Sequence, residues 1–245
     1  SADDPETIIA ARKGSPLVIG VGKGEHFLGS DASPMLEYTK EVVYVNDYEL
    51  AIVRPDELIL KNLGNEKITP YVQKLDIELA AIEKGGYEHF MLKEMNEQPK
   101  TIRDTISPRI KDGRIVIDEL GMSDEEIRNI SRIHIVACGS AHHTGFTSKY
   151  IFEGMARIPV DVDVASEFRY RNPILEDGAL VIIISQSGET ADSLAALRMA
   201  KERGVKTLGI VNVVGSSIAR EADKVMYTWA GPEIAVATTK AYSAQ

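Results

Sequence analysis

Cysteine is nearly absent: Cys138 is the single one in 245 residues. The chain can therefore form no internal disulfide and no cysteine-based metal cluster, which fits a reducing, cytoplasmic setting. Basic excess is absent too, with 28 Lys and Arg against 37 Asp and Glu and a formal charge of -9. Nucleic-acid binding would need a basic patch, so it is a poor expectation here. No run approaches the roughly 20 apolar residues of a membrane span, and no signal-peptide pattern opens the chain. Gly22-Lys23-Gly24 lacks the remaining positions of a phosphate-binding P-loop. No His, Cys and Asp spacing suggests a metal site, and no cofactor is expected.

What is present suffices for a core. Apolar residues make up 44% and charged residues 27%, so wholesale disorder is not expected, and the length suits one or two domains. The acidic balance leaves small anions open as ligands, because a helix N-terminus binds phosphate without side-chain cations.

Three segments follow one another. Residues 1–70 are β-prone, with short runs at Thr7–Arg12, Pro16–Val21, Glu25–Ser30, Glu41–Asn46 and Glu49–Val53 and turn chemistry between them. A short helix is expected near Ser33-Pro34. Residues 71–131 are polar and helix-prone and predict a helical connector. Its helix around Tyr87–Met95 should end or break at Pro99, and Thr101-x-x-Asp104 and Ser123-x-x-Glu126 resemble helix starts. Residues 132–245 alternate strands (133–137, 160–164, 180–184, 207–211, 224–227) with helices (142–157, 190–203, 216–221 and one starting near Ile234). Such alternation predicts a parallel sheet with right-handed crossovers, whose ligands sit beyond the carboxyl ends of the strands.

That edge would carry Ser185-Gln186-Ser187-Gly188-Glu189-Thr190, directly after the apolar run Leu180–Ile184 and directly before a helix. Three hydroxyls, a glycine and a helix N-terminus suit a bound phosphate. The same residues also suit a well-capped helix, and the loop by itself leaves both readings open. Gly139-Ser140 offers the same pair of readings after the first strand. Cys138, at a strand end, is expected to be a small core residue. Glu167, Glu189 and Glu233 could act as general bases, but each also suits the first turn of a helix. Lys240 could hold an anion or form a Schiff base, and otherwise is structural.

Four motifs occur in order: Ala137-Cys138-Gly139-Ser140, Ala165-Ser166-Glu167-Phe168-Arg169-Tyr170-Arg171, Ser185–Asp192 and Val236-Ala237-Thr238-Thr239-Lys240-Ala241. Together they resemble the first sugar isomerase (SIS) domain of the glutamine–fructose-6-phosphate aminotransferase family, the glucosamine-6-phosphate synthases. Upstream, Ala10–Gly20 resembles the late part of that family's class 2 glutamine amidotransferase (glutaminase) domain, and Tyr87–Glu94 with Glu97-Gln98-Pro99 resembles its interdomain linker. The resemblance implies an α/β, SIS-type (flavodoxin-like) fold with a five-stranded parallel sheet flanked by helices. A truncated β-rich glutaminase segment and a helical linker would precede it.

It further implies a sugar-phosphate site. Ser185, Gln186, Ser187 and Thr190 would hold the phosphate, and Ser140 would contact it from the first loop. The backbone of Val236 and the hydroxyl of Thr238 would complete the pocket, with Glu189 bracing the loop. Fructose 6-phosphate or glucosamine 6-phosphate would be the ligand, glutamine would enter through the missing part of the glutaminase domain, and the chain would form a homodimer. The family's usual Cys-Gly-Thr-Ser stands here as Cys138-Gly139-Ser140-Ala141, and its usual Ser as Thr238. The glutaminase nucleophile would precede Ser1 and the isomerising residues would follow Gln245, so no catalytic residue is assigned to this chain. A free-standing SIS module, such as the sensing part of a transcriptional regulator, or a phosphosugar deglycase are the alternatives. The synthase-like segments upstream count against both.

Overall fold

A computed structural model describes residues 2–75 and 83–245, and these divide into two compact units, up to Gly85 and from Gly86 onward. The part of the helix-prone connector at 76–82 lies outside the described residues.

The first unit is antiparallel. Strands β1 (Ile8–Ala11), β5 (Leu50–Arg54), β6 (Glu57–Lys61) and β7 (Lys67–Ile68) form one sheet in that order. Strands β3 (His26–Gly29), β2 (Val18–Val21), β4 (Glu41–Tyr44) and β8 (Gln73–Lys74) form the other. Alternation along β5 buries Ala51 and Val53, which pack with Ile19, Val43, Val45 and Leu60. Side chains from both sheets thus share one apolar layer, as in face-to-face packing. The buried Arg12 donates from Nη1 to the Val45 carbonyl at 2.7 Å and forms an ion pair with Asp47, 3.3 Å from its Nε. The short helix expected near Ser33-Pro34 is a 3-10 helix of one turn, Ser33–Met35.

The second unit opens with helix α1 (Phe90–Ile106). Pro99 neither ends nor interrupts it. Proline removes one backbone donor, and the Gln98 side-chain amide donates to the Met95 carbonyl instead, at 3.0 Å. Thr101 and Asp104 lie inside this helix and start nothing. Strands β9 (Ile110–Lys111) and β10 (Arg114–Ile115) make a small hairpin. Helix α2 (Asp124–Arg128) has the expected capping box: Ser123 Oγ accepts from Glu126 N at 3.2 Å, and the Glu126 carboxylate accepts from Ser123 N at 2.8 Å.

The parallel sheet has strands β11 (Arg132–Ala137), β12 (Val160–Val164), β13 (Ala179–Ser185), β14 (Lys206–Val211) and β15 (Lys224–Tyr227). Their spatial order is β12-β11-β13-β14-β15, the flavodoxin-like order. Every residue of the central β13 is buried, as an apolar strand covered on both faces requires. Helix α3 (Gly139–Met155) covers one face, where Ala141 and Phe152 meet Ile133, Ile135 and Ile182. Helices α4 (Ala165–Tyr170), α5 (Ala191–Glu202) and α6 (Ser217–Glu221) cover the other, through Phe168, Leu194, Leu197 and Ile218 against Val181 and Ile183. Residues 165–170 are helical, with Glu167 in the first turn.

The last helix, α7 (Lys240–Ala244), begins at Lys240 and not near Ile234. Side-chain carboxylates take the backbone N–H groups of 234, 235, 239 and 241, which removes the need for helical partners there.

Candidate functional site

Strand order reverses direction between β11 and β13, and in open α/β sheets the crevice lies at such a switch point. Register brings the two strand ends level, with Ala137 opposite Ile184. The loops that follow them, 138–141 and 185–190, therefore face each other. A cleft of about 360 Å³ opens there, walled by both loops, by Val236-Ala237-Thr238 and by Gln245. All seven expected binding residues line it: Ser140, Ser185, Gln186, Ser187, Thr190, Val236 and Thr238.

The 185–190 loop is built by its own hydroxyls. Ser185 Oγ accepts from Gly188 N at 3.1 Å, and Ser187 Oγ accepts from Glu189 N at 3.2 Å. Ser185 Oγ and Thr190 Oγ1 are 3.1 Å apart and share a hydrogen bond. Thr190 is the N-cap of α5, yet its side chain makes no capping bond. The same holds across the cleft, where Cys138 rather than Ser140 is the N-cap of α3 and no side chain caps that helix. These hydroxyls are thus placed toward the cleft and not spent on the helix ends. A hydroxyl that accepts from an N–H still has its own proton to donate.

Gly188 makes this loop possible. Its φ is +66°, a region that side chains resist, and an added Cβ would fall 2.6 Å from Ser216 Cβ. Its carbonyl accepts from Ile218 N at 3.0 Å, and the Glu189 carboxylate accepts from Ser217 N at 2.8 Å. The loop and the start of α6 are therefore one braced piece, and Glu189 has the bracing role the resemblance implied.

Among the described residues, no charged side chain lines the cleft. Its positive character comes from two helix N-termini, α3 at Gly139 and α5 at Ala191, whose dipoles converge on it. Cys138 packs against the core cluster of Val136, Phe168 and Val181 as expected, but at its edge. It is half-buried in the cleft wall, where Sγ accepts from Ser193 Oγ at 3.8 Å.

The third wall is the arm 228–239, which has no regular secondary structure. Asn212 fixes its start, accepting from Ala230 N at 2.8 Å and donating to the Gly231 carbonyl at 2.8 Å. Farther along, Glu94 Oε1 on α1 accepts from Ile234 N at 2.7 Å and Ala235 N at 3.0 Å. Glu233 Oε1 accepts from Thr239 N at 2.9 Å and Ala241 N at 3.2 Å. Lys240, buried, pairs with Glu97 at 2.6 Å, so its ammonium is occupied structurally. Burial, and then the charge of Glu94, raise the pKa of Glu233 above its ordinary 4.5 against the pull of its hydrogen bonds. The sequence reading gave Glu94 and Glu97 no part in the site. The signal available was a run of charged residues within a helix, which does not say what they touch.

Residues 126–245 match the family model of the SIS domain. The whole chain is similar to glutamine–fructose-6-phosphate aminotransferases. It is 52% identical to that of Caldanaerobacter subterraneus over 99% of this chain and 40% of the relative. It is 50% identical to that of Clostridium acetobutylicum over 100% of this chain and again 40% of the relative. Among solved structures, the C-terminal domain of glucosamine-fructose-6-phosphate aminotransferase from Francisella tularensis matches at 45% identity and a TM-score of 0.63, covering 66% of this chain and 45% of that one. Tagatose-6-phosphate ketose/aldose isomerase from Escherichia coli shares the fold alone, at 14% identity, a TM-score of 0.54, and coverage of 64% of this chain and 45% of that one. The chain is thus similar along its whole length to glutamine–fructose-6-phosphate aminotransferases, spans 40% of the length of the relatives it matches, and carries a SIS domain at residues 126–245.

Proposed function

We propose that the cleft between β11 and β13 binds fructose 6-phosphate or glucosamine 6-phosphate. It does so as the substrate-holding part of an enzyme that converts fructose 6-phosphate and glutamine to glucosamine 6-phosphate and glutamate. The observation that carries this reading is the use of hydroxyls: Ser185 and Thr190 pair with each other within the loop that walls the cleft, and the Thr190 side chain leaves its helix uncapped. Ser185, Gln186, Ser187 and Thr190 surround the phosphate, Ser140 meets it from the opposite loop, and Val236 and Thr238 contact the sugar. Ala141 stands in the wall where the family usually has a hydroxyl, so that side of the pocket contributes packing.

In this reading residues 1–70 are the C-terminal part of a class 2 glutamine amidotransferase domain, 71–131 is the interdomain linker and 132–245 is the first SIS domain. The protein works in the cytoplasm as a homodimer, and glutamine is bound by the remainder of the amidotransferase domain. A formal charge of -9 argues against nucleic acid as a partner. Among the described residues, no helix is long and apolar enough to cross a membrane.

Calorimetry of the chain with fructose 6-phosphate, glucosamine 6-phosphate and the two unphosphorylated sugars tests the site. Tighter binding of both phosphates is expected. Equal affinity for phosphorylated and unphosphorylated sugars in a folded sample would overturn the assignment.

A further inference from the structure

The arm that carries Val236 and Thr238 has no strand or helix of its own to hold it. Its path depends on side chains from elsewhere in the unit. The most deeply placed of these is Glu94, 2% exposed on α1. A carboxylate removed from water is unfavourable unless hydrogen bonds replace its hydration. Here one oxygen, Oε1, receives two consecutive peptide N–H groups, those of Ile234 and Ala235, from 140 and 141 residues farther along the chain. Charge-assisted bonds of this kind are stronger than neutral ones. The other oxygen is buried with no hydrogen-bond partner among the described residues. The two peptide bonds therefore carry the compensation for burying this charge, and the 234–235 peptides are fixed wherever Glu94 is.

Val236 is the next residue along, and Thr238 follows two later. Both line the cleft, and Val236 stands out from the surface at the tip of the arm. The 185–190 loop, by contrast, is held by its own hydroxyls and by α6, with no contribution from Glu94. The two walls share Asn212, whose N–H donates to the Gln186 carbonyl at 3.1 Å while its side chain holds the start of the arm, but Glu94 bonds the arm alone.

We propose that Glu94 is a positioning residue for the cleft: by fixing the 234–235 peptides it sets the place of Val236 and Thr238, and through them the preference for a sugar phosphate over phosphate alone. The proposal rests on the reading of the cleft as a sugar-phosphate site. It assigns to the linker helix a direct part in ligand discrimination. Glu233, Glu97, Lys93 and Lys240 are the other charged groups around the arm. Glu233 holds the C-terminal end of the arm and the start of α7, and Glu97 pairs with both Lys240 and Lys93.

The test compares the wild-type chain with Glu94→Ala, Glu94→Gln and Glu94→Asp. Calorimetric titrations use fructose 6-phosphate and inorganic phosphate, and hydrogen exchange is followed on residues 233–239. Glu94→Ala is expected to lose tenfold or more in affinity for fructose 6-phosphate while inorganic phosphate stays within twofold. Exchange at 233–239 should quicken while β13 stays protected. Glu94→Gln, whose amide oxygen accepts the same two N–H groups, should stay within threefold of wild type. If Glu94→Ala does not fold, Glu94→Asp, one methylene short of the peptides, takes its place. Equal loss for both ligands would mean general destabilisation and overturn the proposal, as would unaltered fructose 6-phosphate affinity with or without faster exchange. A wild-type chain with no preference for fructose 6-phosphate over fructose would instead overturn the reading of the site. A retained ratio in Glu94→Ala overturns only the role of Glu94.

Discussion

The two sides of the cleft are held in different ways. The 185–190 loop is local: its hydroxyls accept from N–H groups two and three residues away, and its glycine and glutamate lean on the next crossover. The 228–239 arm is held chiefly from outside, by Asn212 at its start and by the buried Glu94 carboxylate 140 residues upstream, with the half-buried Glu233 bonding within its own C-terminal end. A local loop of this kind forms once its strand and helix form. The arm exists only when α1 has docked, and it takes buried charge out of water to do so. Stability and binding should therefore be separable on the arm and inseparable on the loop.

The sharpest way to break that contrast is Gly188→Ala. The new methyl meets Ser216, and the backbone stays at φ +66°. Strain and overpacking together should cost about 3 kcal/mol or more, read as a lower midpoint in denaturant, with binding of fructose 6-phosphate lost. A variant that keeps full stability and affinity would show the loop to be far softer than drawn here. Next in size is Ser187→Ala combined with Thr190→Ala, which removes two donors and leaves the glycine in place. Each hydrogen bond to a charged group is worth about 1.5–3 kcal/mol. Affinity for inorganic phosphate and for fructose 6-phosphate should fall together, unlike the split expected on the arm. Unchanged affinity would mean that these hydroxyls serve the loop alone.

The smallest effect belongs to Glu233→Gln. The folded-state pKa of Glu233 is raised above 4.5 by burial and by Glu94. Folding therefore favours its protonated form, so its stabilising contribution is complete below pH 4.5 and declines as pH rises through the raised value. At pH 7 the wild type carries that penalty, and glutamine, which can still accept the same N–H groups, does not. Melting temperature against pH should be flatter between 4.5 and 7 for Glu233→Gln, with no loss of stability at pH 7. A slope identical to wild type would refute the account.

The same contrast explains how much could be read from the sequence. The sheet was legible because its strands are apolar runs separated by helix-length segments, and β13 is apolar throughout. The phosphate loop was legible because its residues are contiguous and sit at a strand-to-helix junction. That Thr190 would leave its helix uncapped was not legible, since the same hydroxyl can turn either way. Val236 and Thr238 entered through the family resemblance alone. The support of the arm was hidden for two reasons: it joins residues far apart in the chain, and the helix that supplies it runs against pattern. On α1 the residues Met91, Met95, Ile102 and Ile106 are exposed, while Lys93, Glu94, Thr101 and Thr105 are buried. Periodicity identifies an apolar face, but it does not say which face this unit covers. Pro99 misled in the same way, because the Gln98 side chain stands in for the missing backbone donor.

The bracing of Gly188 and Glu189 on the start of α6 also bears on kinetics. A loop already held in place by its neighbours needs little ordering when a ligand arrives, so the entropic cost of closing around it is small. For a sugar phosphate bound as proposed, association would be governed by encounter, and differences in affinity among phosphorylated sugars would appear in how slowly each one leaves.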